Sequence, residues 1–236
     1  MRSSAKSRVK PASALVDPAL IERLCAIPVA EMSDTLAAAG LPDQVLASGF
    51  IRIGSGRPFA GPVVCLGGEA SPEPGLQIGD IDRAICAGHI VVVGPGNGCM
   101  AALVGGNMVT SWRRRGAAGV LVDGFVRDLS SFDGLPGLAR GTTPINCRGR
   151  WRFVSTSLPL TLPGQIEPVT VRPGDWLHGD NDGTVVLPAE KLVSLIEDVE
   201  EVGGIERRMR ALIEAGEDRQ SVYETHDRFG HVRRAD

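Results

Sequence analysis

The chain has 236 residues, which is enough for one large domain or two small ones with a substantial buried core. Its apolar content of 43% and charged content of 22% are ordinary for a globular protein, and its net charge of −3 gives no general attraction to nucleic acid or to an anionic membrane. No apolar run approaches the roughly 18 residues that a membrane-spanning helix needs, so the sequence predicts no membrane span.

The N-terminal residues 1–14 are basic and rich in serine, and they lack the apolar core of a secretory signal. We predict that they form a disordered tail. The five cysteines stand singly, and their odd number argues against a complete disulfide framework. Together these features predict a soluble protein of the cytoplasm, which is a reducing compartment.

The remaining chain alternates between helical and strand-like patterns. Residues 17–39 predict two helices, the second beginning at Ser33 and ending before Gly40. Short apolar runs predict strands over 50–70, and residues 152–187 predict further strands joined by tight turns. From Pro188 onward, apolar residues three or four apart predict an amphipathic helix.

The middle of the chain predicts a βαβ unit. The strand "HIVVVG" leads through a glycine-rich loop to a helix over "CMAALVGGNMVTSWRRRG", and "GVLVD" is a second strand that ends at an Asp-Gly turn. We therefore expect a tail at 1–14, an α/β domain at 15–187, and a helical extension at 188–236. The extension is expected to pack on the domain or on a neighbouring subunit.

A charged pair follows the second strand of this unit. Ligands of parallel sheets bind beyond the carboxyl ends of the strands, which is where Arg127 and Asp128 are expected. Arg127 can hold a carboxylate in a bidentate fork, and Asp128 can hold a hard cation that keeps most of its waters. The alternative interpretation is a surface pair that only solvates a turn.

Two glycines interrupt the predicted helix of the unit. If a new helix begins at Gly105 and Gly106, its first backbone amides, near Asn107 and Met108, can bind a carboxylate or phosphate. The other interpretation is that the glycines let the helix pack closely on a strand. Both interpretations fit the spacing.

The stretch "GGNMVTSWRRRGAAGVLVDGFVRD" resembles the signature of the RraA-like family, which includes 4-hydroxy-4-methyl-2-oxoglutarate (HMG) and 4-carboxy-4-hydroxy-2-oxoadipate (CHA) aldolases. The segments "SDTLAAAG", "FAGPVV", "GDNDGTVVLP" and "IERRMRALIEAG" match the family in the same order. The resemblance implies a single α/β domain of the β/β/α swivelling type with a βαβ core. It also implies homotrimers or homohexamers with active sites between subunits.

The resemblance implies a class II aldolase that uses Mg²⁺ or Mn²⁺ to cleave a 4-hydroxy-2-oxo acid to pyruvate, with oxaloacetate decarboxylation as a related activity. The alternative function is that of a non-catalytic regulator that binds a ribonuclease or another protein partner, as RraA does. The chain's own lysines support the metal-dependent route, because Lys6, Lys10 and Lys191 lie in the tail or at an exposed helix start. A Schiff-base aldolase needs a buried lysine.

The resemblance also implies roles for individual residues. Asp128 is the direct metal ligand, and Arg127 binds the pyruvyl part of the substrate and stabilises its developing enolate. Glu206 of a neighbouring subunit reaches a metal-bound water. The substrate carboxylate is held by the backbone of four residues, namely Gly105, Gly106, Asn107 and Met108.

Two positions depart from the aldolase pattern. The aldolases carry an aspartate where this chain has Gly106, and the family has glutamate or aspartate where this chain has Ser131. These departures weaken the assignment to this particular aldolase, and they leave metal-assisted enolate chemistry in place.

Overall fold

The computed structural model describes residues 16–235, so the predicted tail at 1–14 lies outside the described residues. The helices are α1 (Pro18–Ala26), α2 (Val29–Ala38), α3 (Ile78–Ala84), α4 (Gly106–Arg114), α5 (Leu192–Glu214) and α6 (Arg219–Thr225). The strands are β1 (Ile51–Ile53), β2 (Phe59–Ala70), β3 (Ile90–Gly94), β4 (Ala102–Val104), β5 (Gly119–Val126), β6 (Gly137–Thr142), β7 (Trp151–Ser155), β8 (Leu160–Leu162), β9 (Val169–Val171), β10 (Trp176–Gly179) and β11 (Thr184–Leu187). Within this part of the chain, no helix has an apolar stretch of the length needed to cross a membrane.

A mixed sheet of nine strands forms the centre of the molecule. Its main path runs β1-β6-β5-β3-β2-β10-β11, with β4 added beside β5 and β7 beside β2. Strands β2, β3, β5 and β6 are parallel neighbours, which confirms the predicted βαβ unit β3-α4-β5. Strands β1, β7, β10 and β11 pair antiparallel, and β8 and β9 form a separate small sheet. This mixed arrangement in one domain confirms the predicted α/β fold class.

Apolar clusters cover both faces of the sheet. Trp112 of α4 is fully buried in the cluster beside β3 and β5, and Leu162 of β8 is fully buried in the cluster beneath the small sheet. A third set, which we call the helix cluster, joins α1, α2 and α5 to β10 and β11. Its core members are Leu24, Ile27, Val29, Met32, Leu36, Ala39, Ala60, Trp176, Val185, Leu187, Leu192, Leu195, Ile196 and Val199. Each large side chain of this kind contributes about 1.5–3 kcal/mol when it is fully buried.

Helix α2 begins four residues before the position predicted for it. Its first amide, Val29 N–H, donates to Asp180 Oδ2 at 2.9 Å, so the helix start is capped by a carboxylate from the β10–β11 turn. The predicted start at Ser33 was therefore wrong. The predicted end is confirmed, because Gly40 adopts φ +88° directly after the helix.

Two further boundaries in the βαβ unit differ from prediction. The predicted helix over 99–116 is shorter, since Ala102–Val104 pairs with β5 as strand β4 and α4 begins only at Gly106. The predicted turn at Asp123 is absent, because β5 continues to Val126 through a bulge. Asp123 stays in the sheet because its Oδ1 accepts a hydrogen bond from Arg140 Nε at 2.9 Å.

The C-terminal segment folds back onto α5 and α2. Arg233 donates to both carboxylate-bearing side chains Glu197 and Asp198, and the backbone N–H of Ala235 donates to Ala39 O at 2.9 Å. Helix α5 runs unbroken through Gly203, where a Cβ would lie 2.8 Å from Glu31 Oε2. The glycine therefore permits the close approach of α2.

Strand β10 carries a histidine inside the core. His178 has 0% exposure, and neither ring nitrogen has a hydrogen-bond partner among residues 16–235. Burial lowers the pKa of His178 from 6.5 to about 4. Because the folded-state pKa lies below the unfolded value, folding is favoured while His178 is neutral. This contribution to stability is complete above pH 6.5 and is lost as the pH falls towards 4.

We expect the substitution His178→Leu to reduce the amount of unfolding free energy that the protein loses between pH 7 and pH 4.5. The depressed pKa corresponds to at most about 3 kcal/mol of acid destabilisation. Urea denaturation of both proteins at the two pH values measures the difference, and titrating groups that the two proteins share cancel in the comparison. Equal pH dependence in the two proteins would contradict the prediction.

Candidate active site

Arg127 and Asp128 leave the sheet at the end of β5. Asp128 adopts φ 60° and ψ 52°, a left-handed conformation that non-glycine residues rarely take. The 3₁₀ turn Leu129–Phe132 follows, and Ser131 N–H donates to Asp128 O at 2.9 Å. Since Phe132 is fully buried, the turn is anchored to the core and holds Asp128 in its uncommon backbone conformation.

The Asp128 carboxylate is oriented by the start of α4. Its Oδ2 accepts a hydrogen bond from Gly106 N–H at 2.9 Å and lies 3.7 Å from Arg127 Nε. Its Oδ1 accepts no hydrogen bond from any residue in the described range, and the side chain is 53% exposed. One carboxylate oxygen is therefore fixed while the other remains available to a ligand.

This arrangement fits a hard divalent cation. A half-exposed carboxylate with one uncommitted oxygen is a ligand that Mg²⁺ and Mn²⁺ accept. Across residues 16–235, no group of three or more His, Cys, Asp or Glu side chains is placed to surround a metal ion. A cation at Asp128 would consequently have one protein carboxylate and several waters, which is a common coordination for Mg²⁺.

Gly105 and Gly106 bring the start of α4 against the charged pair. A Cβ on Gly105 would lie 3.0 Å from Arg127 Nε, and a Cβ on Gly106 would lie 2.5 Å from Ser131 Oγ and 3.1 Å from Asp128 Cβ. The glycines thus permit close packing, and this packing delivers the Gly106 amide to Asp128. The two interpretations left open by the sequence are two parts of one arrangement.

The backbone N–H groups at the start of α4 differ in whether they already donate a hydrogen bond within the chain. Gly106 N–H is engaged by Asp128, and Met108 N–H donates to Gly105 O at 3.1 Å. Asn107 N–H has no acceptor within the described part of the chain. Of the four predicted backbone donors at the helix start, Gly105 and Asn107 therefore have N–H groups without an acceptor among residues 16–235.

A cavity of about 350 Å³ opens beside the pair. Its lining consists of Arg127, Asp128, Leu129, Thr142, Thr143 and Pro144. The Arg127 side chain is 36% exposed, and its guanidinium donates no hydrogen bond to residues 16–235, so both of its terminal nitrogens can bind a carboxylate. The threonines come from the end of β6, the parallel neighbour of β5, and were not predicted.

A larger cavity of about 540 Å³ lies elsewhere, between the loop after β3 and the small sheet. The charged side chains in its lining, Asp123 and Arg140, are already paired with each other at 2.9 Å. It contains none of the residues predicted for the site. We place the candidate active site in the smaller cavity, where Asp128 Oδ1 and the terminal nitrogens of Arg127 have no hydrogen-bond partner among the described residues.

Glu206 lies on α5 and is occupied within its own chain. Its Oε1 accepts a hydrogen bond from Arg228 Nη1, and its side chain is 19% exposed. In the described chain Glu206 contacts Arg228 and not Asp128. A role for Glu206 at the metal requires a neighbouring subunit and the release of Arg228, and it stays a prediction.

A family model described as RraA-like, Aldolase/RraA, matches residues 29–186. A protein of Albidiferax ferrireducens named "Putative 4-hydroxy-4-methyl-2-oxoglutarate aldolase" is 36% identical over 159 residues, covering 64% of this chain and 87% of that protein.

Solved structures share the fold. The crystal structure of Streptomyces coelicolor RraAS2, described as an unusual member of the RNase ES inhibitor RraA protein family, superposes with a TM-score of 0.72 at 24% identity, covering 83% of this chain and 98% of that one. The RNA-processing inhibitor RraA from Thermus thermophilis superposes with a TM-score of 0.53 at 28% identity, covering 68% of this chain and 92% of that one.

Proposed function

This chain belongs to the RraA-like family, and from that premise we propose that it is a divalent-metal-dependent class II aldolase or decarboxylase that forms pyruvate from a 2-oxo acid. The observation that supports this proposal most is the state of the charged pair. Asp128 is oriented by the Gly106 amide with one oxygen free, and the uncommitted guanidinium of Arg127 lines the same cavity. The name of the relative from Albidiferax ferrireducens also supports it.

The residues of the site suit enolate chemistry. When bound, Mg²⁺ or Mn²⁺ would supply positive charge next to the 2-oxo group of the substrate. The Arg127 fork is suited to hold the substrate carboxylate and to stabilise the charge that develops on the enolate. The free N–H of Asn107 is a further donor for that carboxylate. Asp128 would hold the metal, since the start of α4 fixes the orientation of its carboxylate.

A coupled assay tests the proposal. Pyruvate formation from oxaloacetate and from 4-hydroxy-4-methyl-2-oxoglutarate is followed with lactate dehydrogenase, with and without Mg²⁺ or Mn²⁺. We expect metal-dependent pyruvate formation from at least one substrate, well above the rate that the metal gives alone. Only background pyruvate from both substrates would favour the second function, a non-catalytic regulator of a ribonuclease, which the likeness to the Thermus thermophilis inhibitor supports.

We further propose that the active form is a homotrimer or homohexamer. Leu129, which lines the cavity, and Ile145, which follows the lining residue Pro144, are each 48% exposed. Apolar groups of this kind mark surfaces that a partner covers, and a neighbouring subunit would also bring Glu206. Sedimentation velocity combined with the assay measures the oligomeric state of the active protein, and a fully active monomer would contradict the proposal.

The five cysteines, all free, support a reducing compartment such as the cytoplasm.

A further inference from the structure

The larger cavity, of about 540 Å³, has the features of a second binding site. It lies beyond the carboxyl end of β3, where parallel strands present their ligand sites, and small-molecule sites commonly measure about 300–1,000 Å³. We call it the loop cavity, after the glycine-rich loop 95–99 that lines it together with residues from β5, β6 and the small sheet. It shares no lining residue with the candidate active site.

A bulge in β5 supplies the loop cavity with a carboxylate. In the pairing of β5 with β6, Asp123 and Gly124 lie together opposite the single residue Arg140. Bulges of this kind redirect a side chain and are frequent beside binding sites. Gly124 leaves no space for a side chain of its own, since a Cβ there would lie 2.4 Å from Leu103 Cδ1. The side chain that the bulge adds to the lining is therefore that of Asp123.

The Asp123 carboxylate has one oxygen engaged and one oxygen free. Its Oδ1 accepts a hydrogen bond from Arg140 Nε at 2.9 Å, whereas its Oδ2 accepts none from the residues described. Arg140 is itself fixed, because its Nη1 donates to Ser48 O at 3.4 Å and its Cζ lies 3.6 Å from the centre of the Phe50 ring. The side chain of Asp123 is only 10% exposed, and a mostly buried charged oxygen without a donor is costly. Oδ2 is thus a preset acceptor for a donor group on a ligand.

The glycine-rich loop supplies donors. The backbone N–H groups of Gly96, Asn97 and Gly98 have no acceptor within the part of the chain that the structure describes. Asn97 and Gly98 both have left-handed backbones, with φ 48° and φ 76°. Successive free N–H groups in such turns bind carboxylates. The loop also lies close to the free acceptor, since a Cβ on Gly96 would be 2.3 Å from Asp123 O.

The charges that line the loop cavity balance. Asp123 and Arg140 are its charged side chains and neutralise each other, so the cavity favours a ligand without net charge. Phe125, Pro163 and Pro168 add apolar surface to the lining. We propose that the loop cavity binds an apolar α-amino acid. The ammonium of this zwitterion donates to Asp123 Oδ2, its carboxylate accepts from the N–H groups of the loop, and its side chain packs on the apolar surface.

Calorimetric titration of the whole chain tests the proposal without any turnover. L-leucine is titrated in the presence of a chelator, beside three analogues that each lack one recognised feature. N-acetyl-L-leucine lacks the ammonium, L-leucinamide lacks the carboxylate, and glycine lacks the apolar side chain. We expect L-leucine to bind with a Kd below about 1 mM and each analogue to bind at least about 10-fold more weakly, since each lost contact is worth about that factor.

Three variants locate the ligand. Asp123→Asn keeps an oxygen for Arg140 but replaces Oδ2 by an N–H donor, so leucine should bind at least about 10-fold more weakly. Thr161→Phe places a ring at an exposed lining position of β8 and should weaken binding to a similar extent, with little effect on folding. Thr170→Phe is the matched control, because Thr170 lies directly opposite Thr161 on β9 and outside the lining. It should bind leucine as the wild type does.

Competition with pyruvate separates the loop cavity from the candidate active site. Excess pyruvate with Mg²⁺ should leave the affinity for leucine unchanged, and displacement of leucine by pyruvate would overturn the assignment. It would also be overturned by no binding up to about 10 mM leucine, by equal affinity for any of the three analogues, or by wild-type affinity in Thr161→Phe or in folded Asp123→Asn. A failed pyruvate-forming assay would leave this inference standing, since leucine binding requires neither metal nor turnover.

Discussion

Replacing Asp128 with asparagine should abolish metal-stimulated pyruvate formation and Mg²⁺ binding at millimolar concentrations. The substitution removes the charge from the carboxylate beside Arg127, and a metal is worth several kcal/mol to a developing enolate. We expect the metal-dependent rate to fall about 10³-fold or more. Titration calorimetry with Mg²⁺ and Mn²⁺ measures the binding, and the coupled assay measures the rate.

Asparagine is the informative replacement because it preserves the local structure. It tolerates the left-handed backbone of position 128 and keeps an oxygen for the Gly106 amide. Asp128→Ala should lose the same activity and also about 1 kcal/mol of stability from the strained backbone. Asp133→Asn is the matched control, since Asp133 is an exposed carboxylate in the next turn. Normal metal affinity in Asp128→Asn would show that the metal is not bound at this carboxylate.

Replacing Arg127 with lysine should lower turnover while leaving metal affinity near its wild-type value. Lysine keeps the positive charge but cannot form the two parallel hydrogen bonds of a guanidinium fork. Because the Arg127 guanidinium donates no hydrogen bond to the residues described, the effect should come from the substrate and not from the fold. Loss of a charge-stabilising group of this kind costs about 10²- to 10³-fold in kcat.

The control for this change is Arg114→Lys. Arg114 is exposed at the end of α4 and donates no hydrogen bond to the residues described, so its replacement should leave both rate and metal binding unchanged. Steady-state kinetics and calorimetry on both variants separate the two roles. If Arg127→Lys turns over at the wild-type rate, the guanidinium does not contact the reacting substrate.

The sequence predicted most reliably what depends on local patterns. The apolar runs of β3 and β5 and the intervening helix were located because each is a continuous signal within a few residues. The start of α2 was missed because its cap, Asp180, lies 151 residues further along the chain. The end of β5 was missed because Asp-Gly usually marks a turn, whereas here Asp123 pairs with Arg140 across the sheet.

The candidate site shows the same limit. Gly105 and Gly106 could be associated with Arg127 and Asp128 because both pairs belong to one βαβ unit, in which the glycines begin α4 and the charged pair follows β5. The contact between position 106 and Ser131 Oγ depends on how a 3₁₀ turn packs against a helix start, and spacing does not encode it. Thr142 and Thr143 could have been found by asking which neighbouring parallel strand ends beside β5.

The helix cluster has a consequence for how the chain acquires its structure during synthesis. Leu24, Met32 and Leu36 of the first two helices are buried against Leu187 and Val199, which the ribosome adds some 150 residues later. Until then these helices have most of their apolar partners missing, and contacts of such long sequence separation slow folding. We therefore expect nascent chains to expose the apolar faces of these two helices for most of translation and to depend on chaperones until β11 and α5 emerge.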